Sequence, residues 1–141
     1  MRPDRGFSLI TAIFLLVVLA ALGTFALTFS SLQQAGAALD VQGSRAYQAA
    51  RSGIEWGLYQ VVAVSSCPAT THLSVPAGAG AARLTVTVSC ATLGSASEGG
   101  VTVTVYGITA TACNQPAAGA CPGAAGGLGY VERQLRAKVS R

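Results

Sequence analysis

The sequence predicts an α+β fold in which one long N-terminal helix packs on a small antiparallel β-sheet. Three observations lead to this class: an uncharged apolar run near the N-terminus, an amphipathic continuation of that run, and strict alternation of apolar and polar residues in the second half. With 141 residues, the chain holds one ordinary domain at most.

The composition argues against several functional classes. Charged residues make up 10% of the chain, whereas soluble domains carry roughly 25%. The formal net charge of +4 is too thinly spread for nucleic-acid binding, which uses a dense basic face. One histidine, His72, and five acidic residues leave little material for acid–base catalysis. We therefore predict neither an enzymatic activity nor a cofactor.

The apolar run covers residues 7–29 and predicts a transmembrane helix, since about 20 apolar residues span a bilayer. Arg2 and Arg5 precede the run, and almost no basic residue follows it closely. The positive-inside rule then places the N-terminus in the cytoplasm and residues 30–141 across the membrane. The polar members of the run have hydroxyls that can bond to helix carbonyls; they are Ser8, Thr11, Thr24 and Thr28.

A cleaved secretory signal peptide is the alternative interpretation of this segment. Such a peptide has a short apolar core followed by small residues at the cleavage site. The small residues at 35–38 resemble a cleavage site, but the apolar run is longer than a signal peptide needs.

An amphipathic pattern continues the apolar run, and no proline interrupts residues 4–67. Apolar residues recur at spacings of three, four and seven, which is typical of one helical face. We expect one continuous helix over residues 7–64, in which Arg51 and Glu55 pair at i, i+4. The apolar face consists of Leu32, Leu39, Ala46, Ala50, Ile54, Leu58, Val61 and Val62.

Glycines are unusually frequent along this helix, although each costs up to about 1 kcal/mol relative to alanine. One interpretation is flexibility or close packing on the chain's own sheet. The other is close approach of neighbouring helices in an assembly, which small residues permit. The residues concerned are Gly23, Gly36, Gly43, Gly53 and Gly57.

The second half of the chain alternates apolar and polar residues with a period of two, which indicates half-buried antiparallel strands. A Gly- and Ser-rich turn is expected at 93–100, a Gly-, Ala- and Pro-rich loop at 114–129, and an exposed loop at 70–72. The alternation predicts strands at 84–90, 101–106 and 130–139.

Four cysteines lie in the segment 65–141, whose core is small enough to be marginal without cross-links. Three pairings are possible. Our preferred pairing joins Cys113 to Cys121 across the loop and Cys67 to Cys90 between the helix exit and the first strand. A zinc site is the alternative, although no Cys-x-x-Cys pair is present and we predict no metal.

The residues Arg5, Gly6 and Phe7, followed by an uncharged helix, resemble the processing signal of type IV pilins and type II secretion pseudopilins. The resemblance implies a pilin-like fold and cleavage by prepilin peptidase between Gly6 and Phe7, with methylation of Phe7. The leader would then be residues 1–6, the helix 7–64, and a disulfide-containing periplasmic β domain 65–141. Residues 8–29 would serve for anchoring and assembly, and the first residues of this assembly helix are Ser8, Leu9, Ile10 and Thr11.

Thr11 departs from the pattern of the major pilins, which carry glutamate at the fifth mature position. In those families that glutamate pairs with the N-terminal amine of a neighbouring subunit. An unpaired carboxylate in an apolar site is unfavourable, so a subunit without that neighbour gains from losing it. Thr11 therefore suggests a minor subunit that acts at the tip or in initiation. Alternatively, Thr11 is an ordinary lipid-facing residue and says nothing about filament position.

A closer resemblance covers about the first 60 residues. The segments 11–23 and 40–57 are similar to the MshP family of pilin-like biogenesis proteins of the mannose-sensitive haemagglutinin (MSHA) type IV pilus. The resemblance implies a noncatalytic role in pilus assembly at the bacterial inner membrane and then in the pilus. It also implies four partners: prepilin peptidase, other pilins and minor pilins, an inner-membrane assembly platform, and membrane lipid.

The main alternative is an uncleaved single-pass membrane protein whose periplasmic domain binds a ligand or an adhesion target. Such a protein keeps its first six residues, whereas a processed pilin loses them. The mature N-terminus therefore distinguishes the two functions.

Overall fold

A computed structural model describes residues 7–76, 83–124 and 127–141. It has an α+β layout, with a long N-terminal helix and a four-stranded antiparallel sheet. The chain divides into two compact units, Met1–Ala38 and Leu39–Arg141. The predicted leader, residues 1–6, lies outside the described residues.

The helix α1 spans Phe7–Tyr59, and a π-helical turn, Gln60–Val64, continues it. The helical segment thus covers the predicted residues 7–64 without a break, because no proline interrupts it. It stops at Ser65, whose φ of 62° is left-handed and whose N–H, like that of Ser66, donates to the Gln60 carbonyl.

Arg141 satisfies a further carbonyl at this helix end. Its Nη1 donates to the Val61 carbonyl at 2.9 Å and also bonds the Ser65 hydroxyl. A guanidinium at a helix C-terminus also interacts favourably with the helix dipole. The main chain of Arg141 in turn exchanges two hydrogen bonds with Thr104 on the sheet. The end of the helix is therefore fixed to the sheet through one residue.

The sheet is a simple antiparallel meander with the strand order β1-β2-β3-β4. The turn between β2 and β3 consists of Gly99 and Gly100, whose φ values of 58° and 82° suit a tight hairpin turn with both residues left-handed. The strands are β1 (Thr71–Val75), β2 (Leu84–Glu98), β3 (Val101–Cys113) and β4 (Glu132–Ser140).

The strand predicted at 101–106 was too short, since β3 continues to Cys113, and two other predictions about this sheet were wrong in extent. The expected loop at 70–72 contains the start of β1, which pairs with β2 from Thr71↔Val88 to Val75↔Leu84. The expected turn at 93–100 is mostly strand, because β2 continues past an irregularity between Thr92 and Gly94 and stays paired to Glu98. In both places the pairing partner supplies hydrogen bonds that local sequence does not reveal.

The core lies between one face of the helix and one face of the sheet, within Leu39–Arg141. The helix contributes only small side chains at its most buried positions, while the sheet contributes mostly β-branched and small residues. Such a pairing brings a helix backbone close to a sheet, because no long side chain separates them. The buried core residues are Ala46, Ala49, Ala50, Val61, Leu84, Val86, Val88, Cys90, Ile108, Ala110, Ala112 and Val131.

The glycines of α1 fall into two groups. A Cβ on Gly53 would lie 2.7 Å from Val86 Cγ1, and one on Gly57 would lie 2.7 Å from Ile108 Cγ2. A Cβ on Gly43 would lie 2.9 Å from Arg133 Nη2. These three glycines therefore pack against the chain's own sheet strands. At Gly23 and Gly36 an added Cβ would meet no described atom within 4 Å, so packing within the described chain does not account for them.

Replacing Gly53 by alanine should destabilise the fold. The new methyl group would meet three atoms of the sheet at 2.7–3.1 Å, and such overpacking costs about 1–3 kcal/mol. The gain in helix propensity offsets about 1 kcal/mol of this. Denaturant unfolding of the full chain in detergent micelles, followed by the fluorescence of Trp56, measures the loss.

Gly36→Ala is the matched control, since the same substitution on the same helix meets open space. It should leave the free energy of unfolding unchanged or slightly higher. Equal unfolding midpoints for Gly53→Ala and the unaltered chain would contradict the close packing of helix and sheet.

Candidate functional site: the apolar helix and the disulfide-bonded loop

The predicted processing and assembly residues lie at the start of α1. Gly6 lies outside the described residues, and helical backbone begins at Phe7 and continues through Ser8. Leu9 and Ile10 are 67% and 70% exposed, and Thr11 is exposed as well. The residues Leu9 to Thr11, expected to begin the assembly helix, are therefore exposed on one helical turn.

The segment Leu9–Ser30 is long and apolar enough to cross a membrane, with a mean hydropathy of 2.6 over an 18-residue window. None of it is buried within the chain. Exposed apolar patches of this size mark sites for lipid or for another protein. The segment has no charged side chain that water would have to solvate, so a lipid or protein environment suits its whole length.

Two polar side chains of this segment are satisfied locally. The Thr24 hydroxyl donates to the Ala21 carbonyl at 2.9 Å, and the Thr28 hydroxyl donates to the Thr24 carbonyl at 2.9 Å. Phe25 and Phe29 stack with ring centroids 6.4 Å apart. Because these hydroxyls bond the helix itself, they add little cost to insertion in an apolar medium.

All four cysteines form disulfides, in the pairing that the sequence favoured over zinc. Cys67 is bonded to Cys90, which ties the chain leaving the helix to β2. Cys113 is bonded to Cys121, which closes the loop after β3. With both disulfides formed, no free thiol remains that could bind zinc. The described residues also contain no group of three or more His, Cys, Asp or Glu side chains that could share a metal ion.

The loop between β3 and β4 is anchored by side-chain bonds to backbone atoms. Asn114 is the main anchor: its Oδ1 accepts the Val131 N–H at 3.0 Å and its Nδ2 donates to the Gly129 carbonyl at 2.7 Å. The Cys121 N–H donates to Thr87 Oγ1 at 2.8 Å, which fixes the loop to β2. Apart from the spacing of the two loop cysteines, no local sequence pattern predicts this arrangement.

Thr87 also joins the loop to β1. Its Oγ1 lies 3.1 Å from Nδ1 of His72, which is exposed on that strand. The only histidine of the chain thus sits beside a hydroxyl and a backbone amide. The Thr87 hydroxyl accepts the Cys121 N–H and lies next to the His72 imidazole, so it links β1, β2 and the loop.

Tyr130 closes the far side of the loop. Its hydroxyl accepts the Gly123 N–H at 2.8 Å and donates to the Glu132 carboxylate. Burial, together with the Glu132 carboxylate, raises the pKa of Tyr130 above its ordinary value of 10.0, while the Gly123 amide opposes that rise. A Cβ on Gly123 would lie 1.9 Å from the Gln115 carbonyl oxygen, so this close approach of the backbone requires glycine.

Tyr130→Phe should loosen this loop at neutral pH, because the Gly123 amide loses its acceptor at a cost of about 1 kcal/mol. The pKa of Tyr130 is raised in the folded chain, so the stabilisation is complete below pH 10.0 and is lost as the pH rises through the raised pKa. Unfolding midpoints measured at increasing alkaline pH should therefore fall more steeply for the unaltered chain than for Tyr130→Phe.

Tyr59→Phe is the control, since Tyr59 is 60% exposed on the helix and its hydroxyl has no hydrogen bond among the described residues. Its unfolding profile should follow that of the unaltered chain. Parallel profiles for all three proteins would show that the Tyr130 hydroxyl does not hold the loop.

Comparison with known proteins found no relative of this chain. No family model matches the chain, no curated protein matches it, and no solved structure matches it. Any function assigned to the apolar helix and the loop therefore has to follow from their own residues.

Proposed function

We propose that this chain is a minor pilin-like subunit of a type IV pilus, of the MSHA type. The observation that carries the proposal is the span Leu9–Ser30, which is uncharged, has no residue buried within the chain, and is closely preceded by the Gly6 and Phe7 junction. A subunit that first lies in lipid and later in a bundle of similar helices needs such a segment. The resemblance to the MshP family in residues 11–23 and 40–57 supports the same proposal.

Assembly would replace lipid contacts of the helix by contacts with neighbouring helices. Because lipid tails and apolar side chains are alike in polarity, the exchange is governed by packing rather than by the hydrophobic effect. Gly23 fits this role, since it lies within the span and a Cβ there would meet no described atom of its own chain. Small residues of this kind allow a neighbouring helix backbone to approach closely.

Processing would take place at Gly6, with prepilin peptidase as the partner that cuts before Phe7. The N-terminus lies in the cytoplasm in this proposal, and residues after the span lie in the periplasm. Two disulfides in Leu39–Arg141 support an oxidising compartment for that unit. An inner-membrane assembly platform and other pilins would then move the subunit from lipid into the filament.

Thr11 supports a position at the tip or in initiation. A carboxylate at this place needs a neighbouring amine, whereas threonine carries no charge into the apolar bundle. The subunit could therefore occupy a place where no neighbour offers that amine.

Gly6→Leu should block maturation, because a side chain at this position hinders entry of an extended backbone into the peptidase cleft. The unaltered chain should have an intact mass that lacks residues 1–6 and includes one added methyl group. Gly6→Leu should keep the leader and stay out of pili. Gly36→Ala, on the helix away from the junction, is the control and should mature normally.

An intact Met1 on the unaltered chain, in cells with an active prepilin peptidase, would overturn the proposal and favour the uncleaved single-pass membrane protein. Normal mature mass in Gly6→Leu would show that cleavage does not depend on this glycine.

Thr11→Glu should change filament placement more than membrane insertion, since one carboxylate near the helix start can reach the interface. Cysteine crosslinking between this subunit and other pilins, compared with the amount of subunit in the membrane, measures both effects. Equal crosslinking and equal piliation in Thr11→Glu would contradict a tip or initiating position. Thr11→Ser, which adds no charge, is the matched control.

A further inference from the structure

The outer half of the β2–β3 hairpin extends beyond both neighbouring strands. We call residues 91–103 the ribbon. Strand β1 pairs with β2 only as far as Val88, and on the other side the last contact of β3 is between Thr104 and Arg141. Among residues 7–76, 83–124 and 127–141, no strand pairs with either outer edge of the ribbon.

The hydrogen bonds of Thr104 identify which ribbon residues face outward. Its N–H donates to the Arg141 carbonyl and its carbonyl accepts the Arg141 N–H, so both groups point away from β2. Backbone N–H and C=O groups of successive residues point to opposite sides of a strand. Those of Val103 therefore point toward β2 and form hydrogen bonds with its partner Ala96. The backbone groups of Ser95 and Ser97 then point outward from the β2 edge. Within the described part of the chain, no strand pairs with these outward N–H and C=O groups, which form a free sheet edge.

The two faces of the ribbon differ in polarity. On one face, Val101 is opposite Glu98 and Val103 is opposite Ala96, and Leu93 lies over Gly107 beside them. Leu93 is 54% exposed and Val101 is 66% exposed. The other face carries serine and threonine hydroxyls. The ribbon is therefore an amphipathic pair of strands whose apolar face is left largely open by the described residues.

The edge of the ribbon has little of the usual protection of free strands, with one irregularity between Thr92 and Gly94 and one charged residue, Glu98. Proteins block such edges with lysine, proline or similar devices, and β4 does so with Arg136 and Lys138. The ribbon contains no proline, lysine or arginine, and Glu98 is its one charged residue. Beyond the irregularity, from Ser95 to Glu98, a free edge beside an apolar face suits a partner that pairs with it.

We propose that the β2 edge of the ribbon binds an extended segment of another protein, which joins the sheet as an added strand. The outward N–H and C=O groups of Ser95 and Ser97 call for a polypeptide backbone, which lipid cannot supply. The apolar face calls for alternating apolar side chains, and Glu98 calls for a lysine or arginine near the end of the bound segment. The site belongs to Leu39–Arg141 and does not depend on cleavage of the leader.

Ser97→Pro tests the edge directly. Proline removes the outward N–H of this residue, and it is tolerated at an edge position because no ladder hydrogen bond to β3 is lost. Ser97→Ala, which keeps the N–H, is the matched control. The photoreactive amino acid p-benzoyl-phenylalanine replaces Ala96 in both variants and in the otherwise unaltered full chain, which are irradiated in the producing cells.

The expected result is an adduct between position 96 and a segment of another envelope protein that alternates apolar residues and contains a lysine or arginine. Its yield should fall about fivefold in Ser97→Pro, as the loss of one backbone hydrogen bond predicts, and stay unchanged in Ser97→Ala. Adducts only to lipid, only to a second copy of this chain, or of equal yield in Ser97→Pro would overturn the proposal, as would no adduct at all.

Two measurements separate this outcome from other failures. The disulfide content and unfolding midpoint of Ser97→Pro should match those of Ser97→Ala, which shows that the sheet is intact. The intact mass shows whether the leader is removed, so a failure of the proposed processing leaves the crosslinking result interpretable.

Discussion

The close approach between the helix α1 and the sheet is the constraint on which the unit Leu39–Arg141 depends. Gly53 and Gly57 leave no room for a methyl group against Val86 and Ile108. This contact fixes which face of the helix is buried, and therefore leaves the face with the Arg51–Glu55 ion pair in solvent. The two disulfides and the bonds of Arg141 then hold the sheet at that helix face.

The same helix carries two apolar surfaces that differ in burial. In Leu39–Arg141 the apolar face is made largely of alanine and glycine and is covered by the chain itself. In Leu9–Ser30 large apolar side chains are exposed, and none of the segment is buried. Sheet packing therefore explains Gly53 and Gly57, whereas packing within the described chain does not account for Gly23.

Local patterns in the sequence predicted most of the fold. The helix over 7–64 followed from the absence of proline and the apolar spacing, and both are properties of neighbouring residues. The segment Thr71–Val75 was missed because its strand pairs with residues that lie further along the chain, which a local pattern does not show. The extension of β2 was missed because Ser95, Ala96 and Ser97 have little intrinsic preference for strands, and the pairing with β3 decides.

The loop could be predicted only in outline. Its cysteine spacing indicated a disulfide, but the bonds of Asn114 to Val131 and Gly129 join residues 17 and 15 positions apart, respectively, and depend on the folded loop. The ribbon edge was likewise invisible in the sequence, since which backbone groups face outward follows from the Thr104 and Arg141 bonds. Which side chains anchor the loop and which backbone groups form a free sheet edge thus depend on the folded strand register, which composition does not reveal.

The bond between Cys67 and Cys90 also decides how the chain carries tension. A force that pulls on the helix passes through Val64 to Cys67 and then crosses covalently to β2 at Cys90. The intervening residues, including β1, are shielded from that force by the cross-link. A pull on the helix would therefore reach the central β2–β3 hairpin through this covalent bond, while the edge strand β1 stays unstretched.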